Sequence, residues 1–167
     1  MALIVEDGTG KPDAESYASV AQLRAYCTAR GLALGVAATD DTKAEQQLRQ
    51  ATDYLAAYGS YWQGARAVPG QALDWPRTGV MLYGAPVASD SVPRQVIDAA
   101  CLLAQKATSG PLVKDEGREK AKVKVGPIET EYTPGSSQQT KFVDVGRTLA
   151  PLLAPSAGAN AVPLRRV

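Results

Sequence analysis

A stripe of apolar residues at helical spacing in the first half of the chain indicates a helix with one buried face. From about Lys43 to Tyr58, apolar residues recur at helical spacing and polar residues fill the opposite side. The stripe consists of Ala44, Leu48, Ala51, Leu55 and Tyr58. A helix with one apolar face becomes stable by packing that face against other elements. The pattern therefore predicts a helix that needs partners in a bundle.

Capping signals indicate where two helices begin. Ser19 and Gln22 have the spacing of a capping box, which predicts a helix over about 20–30. Thr42 and Glu45 have the same spacing, and we expect them to start the striped helix.

Two further helices are expected downstream. One is predicted over about 93–108, where Asp90 or Ser91 can serve as the cap and Pro93 suits the first turn. A short last helix is predicted over about 142–153. Together with the first two, these segments predict a small bundle of about four helices.

Residues 59–92 are irregular, rich in glycine and proline, and contain both tryptophans. Because an indole ring gains nothing from solvent, we expect Trp62 and Trp75 to fix this segment to the helical core or to a neighbouring subunit. Pro76 and Arg77 complete the predicted structural anchors. Arg77 is expected either to pair with a carboxylate or to lie over Trp75 with its charge in solvent.

Beyond the third helix the pattern changes to alternation. Val123, Val125, Ile128, Thr130 and Tyr132 alternate with charged residues, and this period of two predicts a β-hairpin with a bend at 126–127. The predicted fold is therefore mainly α, in the α+β class, with a β-hairpin arm and an extended C-terminal tail. We divide the chain into a helical core (1–112), the arm (113–135, part of the same domain) and a C-terminal helix with a docking tail (136–167).

The arm and the tail are candidate interfaces with other chains. An isolated hairpin is marginal in water, and the tail is too short to fold alone. The candidate interface residues are Lys122, Lys124, Ile128, Tyr132, Leu164, Arg165 and Arg166. The alternative is that both segments pack back on their own domain.

The composition argues against several functions. Histidine is absent, which removes Ser-His-Asp and Cys-His nucleophiles and histidine metal sites. No phosphate loop or nucleotide fingerprint is present either. We predict a protein that is not an enzyme and has no catalytic, cofactor-binding or metal-binding residues. Cys27 and Cys101, which fall among apolar neighbours, are expected to be buried free thiols.

The charge balance and hydropathy restrict the partners. The net charge of +1 argues against a broad basic face for nucleic acid, although a local patch is compatible with it. One aromatic and basic group (Tyr58, Tyr61, Trp62 and Arg66) could stack on the bases of single-stranded DNA, or could pack in the core. No apolar run reaches the roughly 18 residues of a membrane span, and no secretory pattern is visible. We therefore expect no membrane contact.

Several segments resemble known phage proteins. They are ALIVEDGTGKPDAESYASVAQLRAYCTARG at 2–31, ATDYLAAYG at 51–59, QALDWPRTGV at 71–80, SDSVPRQVIDAACLLA at 89–104 and KVGPIETEY at 124–132. Proteins with this pattern are encoded among head and tail morphogenesis genes, and many are described as DnaT-like single-stranded-DNA-binding proteins. By the same pattern the chain resembles the head-to-tail adaptor (connector, head-completion) proteins of long-tailed phages. The similarity covers about residues 1–135, and the Trp-Pro-Arg motif is its most specific part.

The adaptor resemblance implies a structural virion protein. It implies a homo-oligomeric ring, a dodecamer in described relatives, that lies in the neck after assembly in the host cytoplasm. The implied partners are the portal protein and the tail, stopper or tail-terminator proteins, with double-stranded DNA passing through the lumen in weak contact. We predict this function from the sequence. The alternative is a small single-stranded-DNA-binding protein of phage replication, which would require Tyr61 and Trp62 to be exposed in a basic groove.

Overall fold

The structure, a computed structural model, describes residues 2–113, 122–125, 128–131 and 142–154. Four α-helices lie in these ranges: α1 (Val20–Ala29), α2 (Asp41–Ala56), α3 (Arg94–Ala107) and α4 (Val143–Leu149). Short 3-10 helices occupy Gly35–Ala38 and Ala150–Leu152. The described strands form three antiparallel pairs: β1 (Ala65–Arg66) with β2 (Arg77–Thr78), β3 (Met81–Leu82) with β4 (Ala85–Pro86), and β5 (Lys122–Val125) with β6 (Ile128–Glu131). The predicted mainly α fold of about four helices is confirmed.

Helix α3 lies at the centre of the bundle and packs against α1, α2 and α4. Its apolar arc is wide enough to serve these neighbours, since it buries Val96, Ala99, Ala100, Cys101, Leu103 and Ala104. Helix α2 contributes the predicted stripe, with Ala44, Leu48, Ala51 and Leu55 all buried. The stripe and the arc together form most of the hydrophobic core.

The first capping box is confirmed. The backbone N–H of Gln22 donates to Ser19 Oγ at 3.2 Å, and the N–H of Ser19 donates to Gln22 Oε1 at 2.8 Å. Both otherwise unpaired donors at the start of α1 are thereby satisfied.

The predicted caps of the next two long helices are wrong. Helix α2 begins earlier than the Thr42 box, because the Asp40 carboxylate accepts from the backbone N–H of Lys43 at 3.2 Å. At α3 the capping position belongs to Pro93, whose fixed φ suits a helix entrance. Ser91 donates instead to the carbonyl of Ala88 at 3.0 Å, within the preceding loop.

Both cysteines are buried and free, as predicted. Burial raises the pKa of the Cys101 thiol to about 12 and also raises the pKa of Cys27. A thiol that stays protonated is a poor nucleophile, so the two side chains act as core residues between α1 and α3.

The N-terminal loop is organised around the buried carboxylate of Glu6. This carboxylate accepts from the backbone N–H groups of Gly8, Gly10 and Lys11 at 2.8–2.9 Å. Gly8 has a φ of +104°, and a Cβ there would collide with the carbonyl oxygen of Asp90. The loop is therefore packed tightly against the segment that enters α3.

The predicted β-hairpin is present as β5 and β6. Its register pairs Lys122 with Glu131 and Lys124 with Glu129. The remainder of the predicted arm, and the tail beyond Ala154, lie outside the described residues. Among the helices that are described, none has the length and apolar character needed to cross a membrane.

Candidate functional site

Residues 59–92, which we call the loop layer, are fixed to the bundle by the two tryptophans. Trp75 is 0% exposed and Trp62 is 4% exposed, and their rings meet edge to face with 5.7 Å between centroids. Pro76, joined to Trp75 by a cis peptide bond, is also fully buried. Aromatic pairs in this arrangement stabilise a core beyond simple burial.

The two tryptophans end a row of aromatic rings that crosses the core. Centroid distances along the row are 5.5 Å from Phe142 to Tyr54, 6.4 Å from Tyr54 to Tyr58 and 5.9 Å from Tyr58 to Trp62. Burial raises the pKa of both tyrosines. Trp62 is thus a core residue and Tyr58 is half-buried against the core. The exposed Trp62 that a base-stacking groove was expected to need is therefore not found, and Tyr61 is the exposed aromatic ring of that group.

Arg77 is a buried hydrogen-bond donor to the backbone. Its Nε donates to the carbonyl of Gln63 at 2.7 Å, its Nη2 to that of Gly64 at 2.8 Å and its Nη1 to that of Asp74 at 3.2 Å. Burial lowers the pKa of this guanidinium. The sequence predicted a carboxylate partner or a solvent-exposed charge. The guanidinium instead joins β2 to the backbone just before β1 and to Asp74 in the segment between the two strands.

The carboxylate of Asp74 pairs with Arg66 instead. Arg66 Nη2 lies 2.9 Å from Asp74 Oδ1, at the boundary between the core and solvent. The backbone N–H of Asp74 donates to the hydroxyl of Tyr17 at 3.0 Å, and burial raises the pKa of that phenol. Arg66 is half exposed, but its charge is already balanced by a neighbouring carboxylate.

Gln63 joins the loop layer to the segment after α4 and to strand β3. Its Nε2 donates to the carbonyls of Pro151 at 2.9 Å and Leu153 at 3.3 Å, while its Oε1 accepts from the backbone N–H of Met81 at 3.2 Å. Beside it, the N–H of Ala154 donates to the carbonyl of Tyr61 at 2.8 Å. Three segments that are distant in sequence are therefore fixed around one amide side chain.

Three large side chains are exposed on the two segments that Gln63 joins, and we call them the aromatic edge: Tyr61, two residues before Gln63, and Met81 and Tyr83 of the β3–β4 hairpin. Their exposed fractions are 50%, 48% and 82%. Tyr83 and Gly84 both have positive φ, at 51° and 84°, and they form the two-residue turn between β3 and β4. Positive φ at both central residues is the geometry of a type I′ hairpin turn. The sequence interpretation missed this turn, although a Gly-containing pair between two short apolar runs is a hairpin signal.

Most basic side chains in the described part of the chain are paired with acidic ones. The pairs are Lys11 with Asp7, Arg24 with Asp41, Arg30 and Arg94 with Asp98, Arg49 with Glu15 and Glu45, Arg66 with Asp74, and Lys106 with Asp144. In 114–131 the sequence has five basic and five acidic residues, whereas 155–167 has two adjacent arginines and no acidic residue. Unbalanced positive charge is thus a property of the C-terminal segment rather than of the arm or the helical body.

A shallow pocket beside the start of α2 is not suited to nucleic acid. It is lined by Ala2, Glu15, Asp41, Thr42, Glu45, Gln46 and Arg49. Three carboxylates against one guanidinium give it a negative charge, which repels phosphate. In the ranges that the structure describes, no three carboxylate or thiol groups converge into a metal-binding cluster.

Some of the predicted interface residues lie within the described residues and others lie outside them. Lys122, Lys124 and Ile128 lie in β5 and β6, for which the backbone pairing is described. Tyr132 and the tail residues Leu164, Arg165 and Arg166 lie outside the described residues. Their predicted contacts with other subunits stay predictions.

The fold and the exposed surface define a small, mainly helical protein whose loop layer carries the exposed aromatic edge. The model of one protein family, described as "Putative DnaT-like ssDNA binding protein", matches residues 1–167. The chain belongs to this family. No curated protein and no solved structure matches the chain.

The family match changes the functional assignment made from the sequence. It confirms the resemblance to DnaT-like proteins, and it supports the alternative function that was weighed there. It contradicts the assignment of the chain as a structural virion connector, because the family is described by DNA binding and not by a role in the neck. We therefore correct that assignment. The expected ring of copies, the portal and tail partners and the virion location are not tested by any comparison.

Proposed function

We propose that this protein binds single-stranded DNA without strong sequence preference. The observation that carries the proposal is membership, over the whole chain, of a family described as DnaT-like and single-stranded-DNA-binding. The aromatic edge supports it, because exposed aromatic rings stack on the bases of a single strand whatever their sequence.

The charge distribution supports a binding mode in which stacking matters more than phosphate contact. With a net charge of +1 and its basic side chains mostly paired, the helical body offers few cations to a phosphate backbone. Phosphate contacts are then supplied chiefly by Arg165 and Arg166, which lie in a segment without acidic residues. Such a protein binds with a modest dependence on salt.

The proposal is tested by direct binding. A fluorescently labelled single-stranded oligonucleotide of about 20 bases is titrated with the full chain at physiological salt, and anisotropy is recorded. A duplex of the same sequence is the matched control. We expect saturable binding to the single strand and markedly weaker binding to the duplex. No binding, or equal binding to both, would overturn the proposed function.

A further inference from the structure

We infer that Tyr83, at the tip of the β3–β4 hairpin, is the principal base-stacking residue of the aromatic edge, and that Tyr61 and Met81 extend its surface. This inference rests on the proposed function and assigns its central contact. The ligand is an unpaired base of a single strand, recognised by its π face.

The conformation of Tyr83 is difficult to explain by folding alone. Its φ of +51° lies in the left-handed region, which is strained for a bulky L-residue and is usually occupied by Asn, Asp or Gly in such turns. Its ring is 82% exposed, so little burial compensates for that cost. A strained, exposed aromatic residue indicates a role at the surface.

The hairpin that carries Tyr83 is fixed at its base. The backbone N–H of Val87 donates to the carbonyl of Val80 at 2.9 Å, and Met81 is bonded to the Gln63 side chain at 3.2 Å. Leu82 and Val87 pack against the hydrophobic core. The ring of Tyr83 therefore projects from a supported position, which lowers the entropy that is lost when a base stacks on it.

The shape of this surface favours single strands over duplexes. In a duplex the base faces are covered by their neighbours, so that stacking on a protruding ring requires unstacking a base pair step. In a single strand the faces are accessible. Met81, two residues before Tyr83 in the same hairpin, is also half exposed, as is Tyr61, and a thioether contacts aromatic rings favourably. The aromatic edge thus provides a surface for more than one consecutive base.

Two substitutions at this position separate binding from folding. Asn is a preferred residue of the type I′ turn, so Tyr83→Asn removes the ring while it relieves the backbone strain. We expect this variant to be at least as stable as the parent chain in urea denaturation. We also expect its affinity for a labelled single-stranded oligonucleotide to fall about 5- to 100-fold, the range for loss of one stacked aromatic residue.

The Tyr83→Trp variant is the conservative partner, because an indole ring stacks at least as well as a phenol. It should bind within about threefold of the parent chain, as expected for a preserved stacking contact. Val36→Ala, at an exposed apolar residue of the first 3-10 helix, is the surface control and should not change affinity. If the parent chain binds and Tyr83→Asn binds equally well, the inference about Tyr83 is wrong while the proposed function stands. If the parent chain does not bind at all, the proposed function itself fails.

Discussion

Trp75 and Arg77 stabilise the loop layer in two different ways. Trp75 contributes a large apolar surface that is completely removed from water. Arg77 contributes hydrogen bonds from one buried guanidinium to three backbone carbonyls of the loop layer. The first contribution depends on volume and the second on the planar fork of the guanidinium, so that substitutions at the two positions test different physical effects.

Replacing Trp75 with Ala should lower the free energy of unfolding by about 3–5 kcal/mol, the usual cost of deleting a fully buried aromatic side chain. The cavity would open beside Trp62, whose ring packs edge to face on Trp75. Urea denaturation followed by circular dichroism measures the change. Tyr61→Ala, at a half-exposed ring, is the control and should change stability by less than about 1 kcal/mol. A loss of similar size for both variants would contradict the anchoring role of Trp75.

Replacing Arg77 with Lys should destabilise the protein by at least about 2 kcal/mol, because one ammonium group cannot reach three carbonyls in a fork arrangement. The matched control is Arg66→Lys, which keeps a charge next to Asp74 at a half-exposed position. That change should cost less than about 1 kcal/mol. Denaturation midpoints of both variants, compared with the parent chain, decide the prediction, and equal effects would argue against it.

At the level of single residues, the sequence identified the tryptophans more readily than their polar neighbours. Two tryptophans in a Gly-rich and Pro-rich segment predict anchors because burial is an intrinsic tendency of the indole ring. The acceptors of Arg77 are backbone carbonyls, which leave no pattern in the side chains. Tyr83 was missed for another reason, since the helical and strand periodicities carry no information about a two-residue turn.

At the level of elements, the predicted helices were correct and their starting residues less so. The apolar stripe of α2 and the box at Ser19 are local signals, and both are found in the structure. The start of α2 was misplaced because Asp40 and Thr42 are both good caps. The local geometry selects Asp40, whose carboxylate reaches the N–H of Lys43.

The N-terminal segment and α2 are linked by an ion pair whose contribution depends on pH. Glu15 Oε2 lies 2.9 Å from Arg49 Nη2, and this hydrogen bond, together with the backbone N–H of Ile4, lowers the pKa of the Glu15 carboxyl. A lowered pKa in the folded state stabilises the protein above the unfolded value of roughly 4.3 for Glu. That contribution is lost as the pH falls through the lowered folded value.

We therefore expect Glu15→Gln to be less stable than the parent chain at pH 6.5, and this difference to shrink toward pH 3. The size of the difference is modest, because the pair is partly exposed to solvent. Urea midpoints of both proteins at a series of pH values measure it. A difference that is the same at both ends of the series would show that the ion pair does not account for the effect.

At the scale of the whole molecule, the contacts that complete the loop layer come from far along the chain. Gln63 donates to the carbonyls of Pro151 and Leu153, and Trp62 pairs with Leu153 in an isolated β-bridge. Contacts over such separations cannot be inferred from local periodicity, and the sequence interpretation did not anticipate them. They bring the chain at Ala154 next to Tyr61, and hence next to the aromatic edge.

Residues 155–167 follow Ala154, whose backbone lies next to Tyr61 of the aromatic edge. This segment includes Arg165 and Arg166 and no acidic residue, so it can add positive charge to the DNA-binding surface. If these arginines contact phosphates of a strand that is stacked on the edge, each adds to the salt dependence of binding. The double substitution Arg165→Gln with Arg166→Gln should then reduce the slope of log affinity against log salt concentration by about 1.4, or roughly 0.7 for each neutralised phosphate of a single strand.

The stability of this double variant should equal that of the parent chain, since the contacts that fix the end of the loop layer are made by Pro151, Leu153 and Ala154. Tyr83→Asn is the complementary control, because loss of a stacked ring should lower the affinity at every salt concentration and leave the slope unchanged. Anisotropy titrations at four or five salt concentrations provide both quantities. An unchanged slope in the double variant would mean that the two arginines do not contact phosphate.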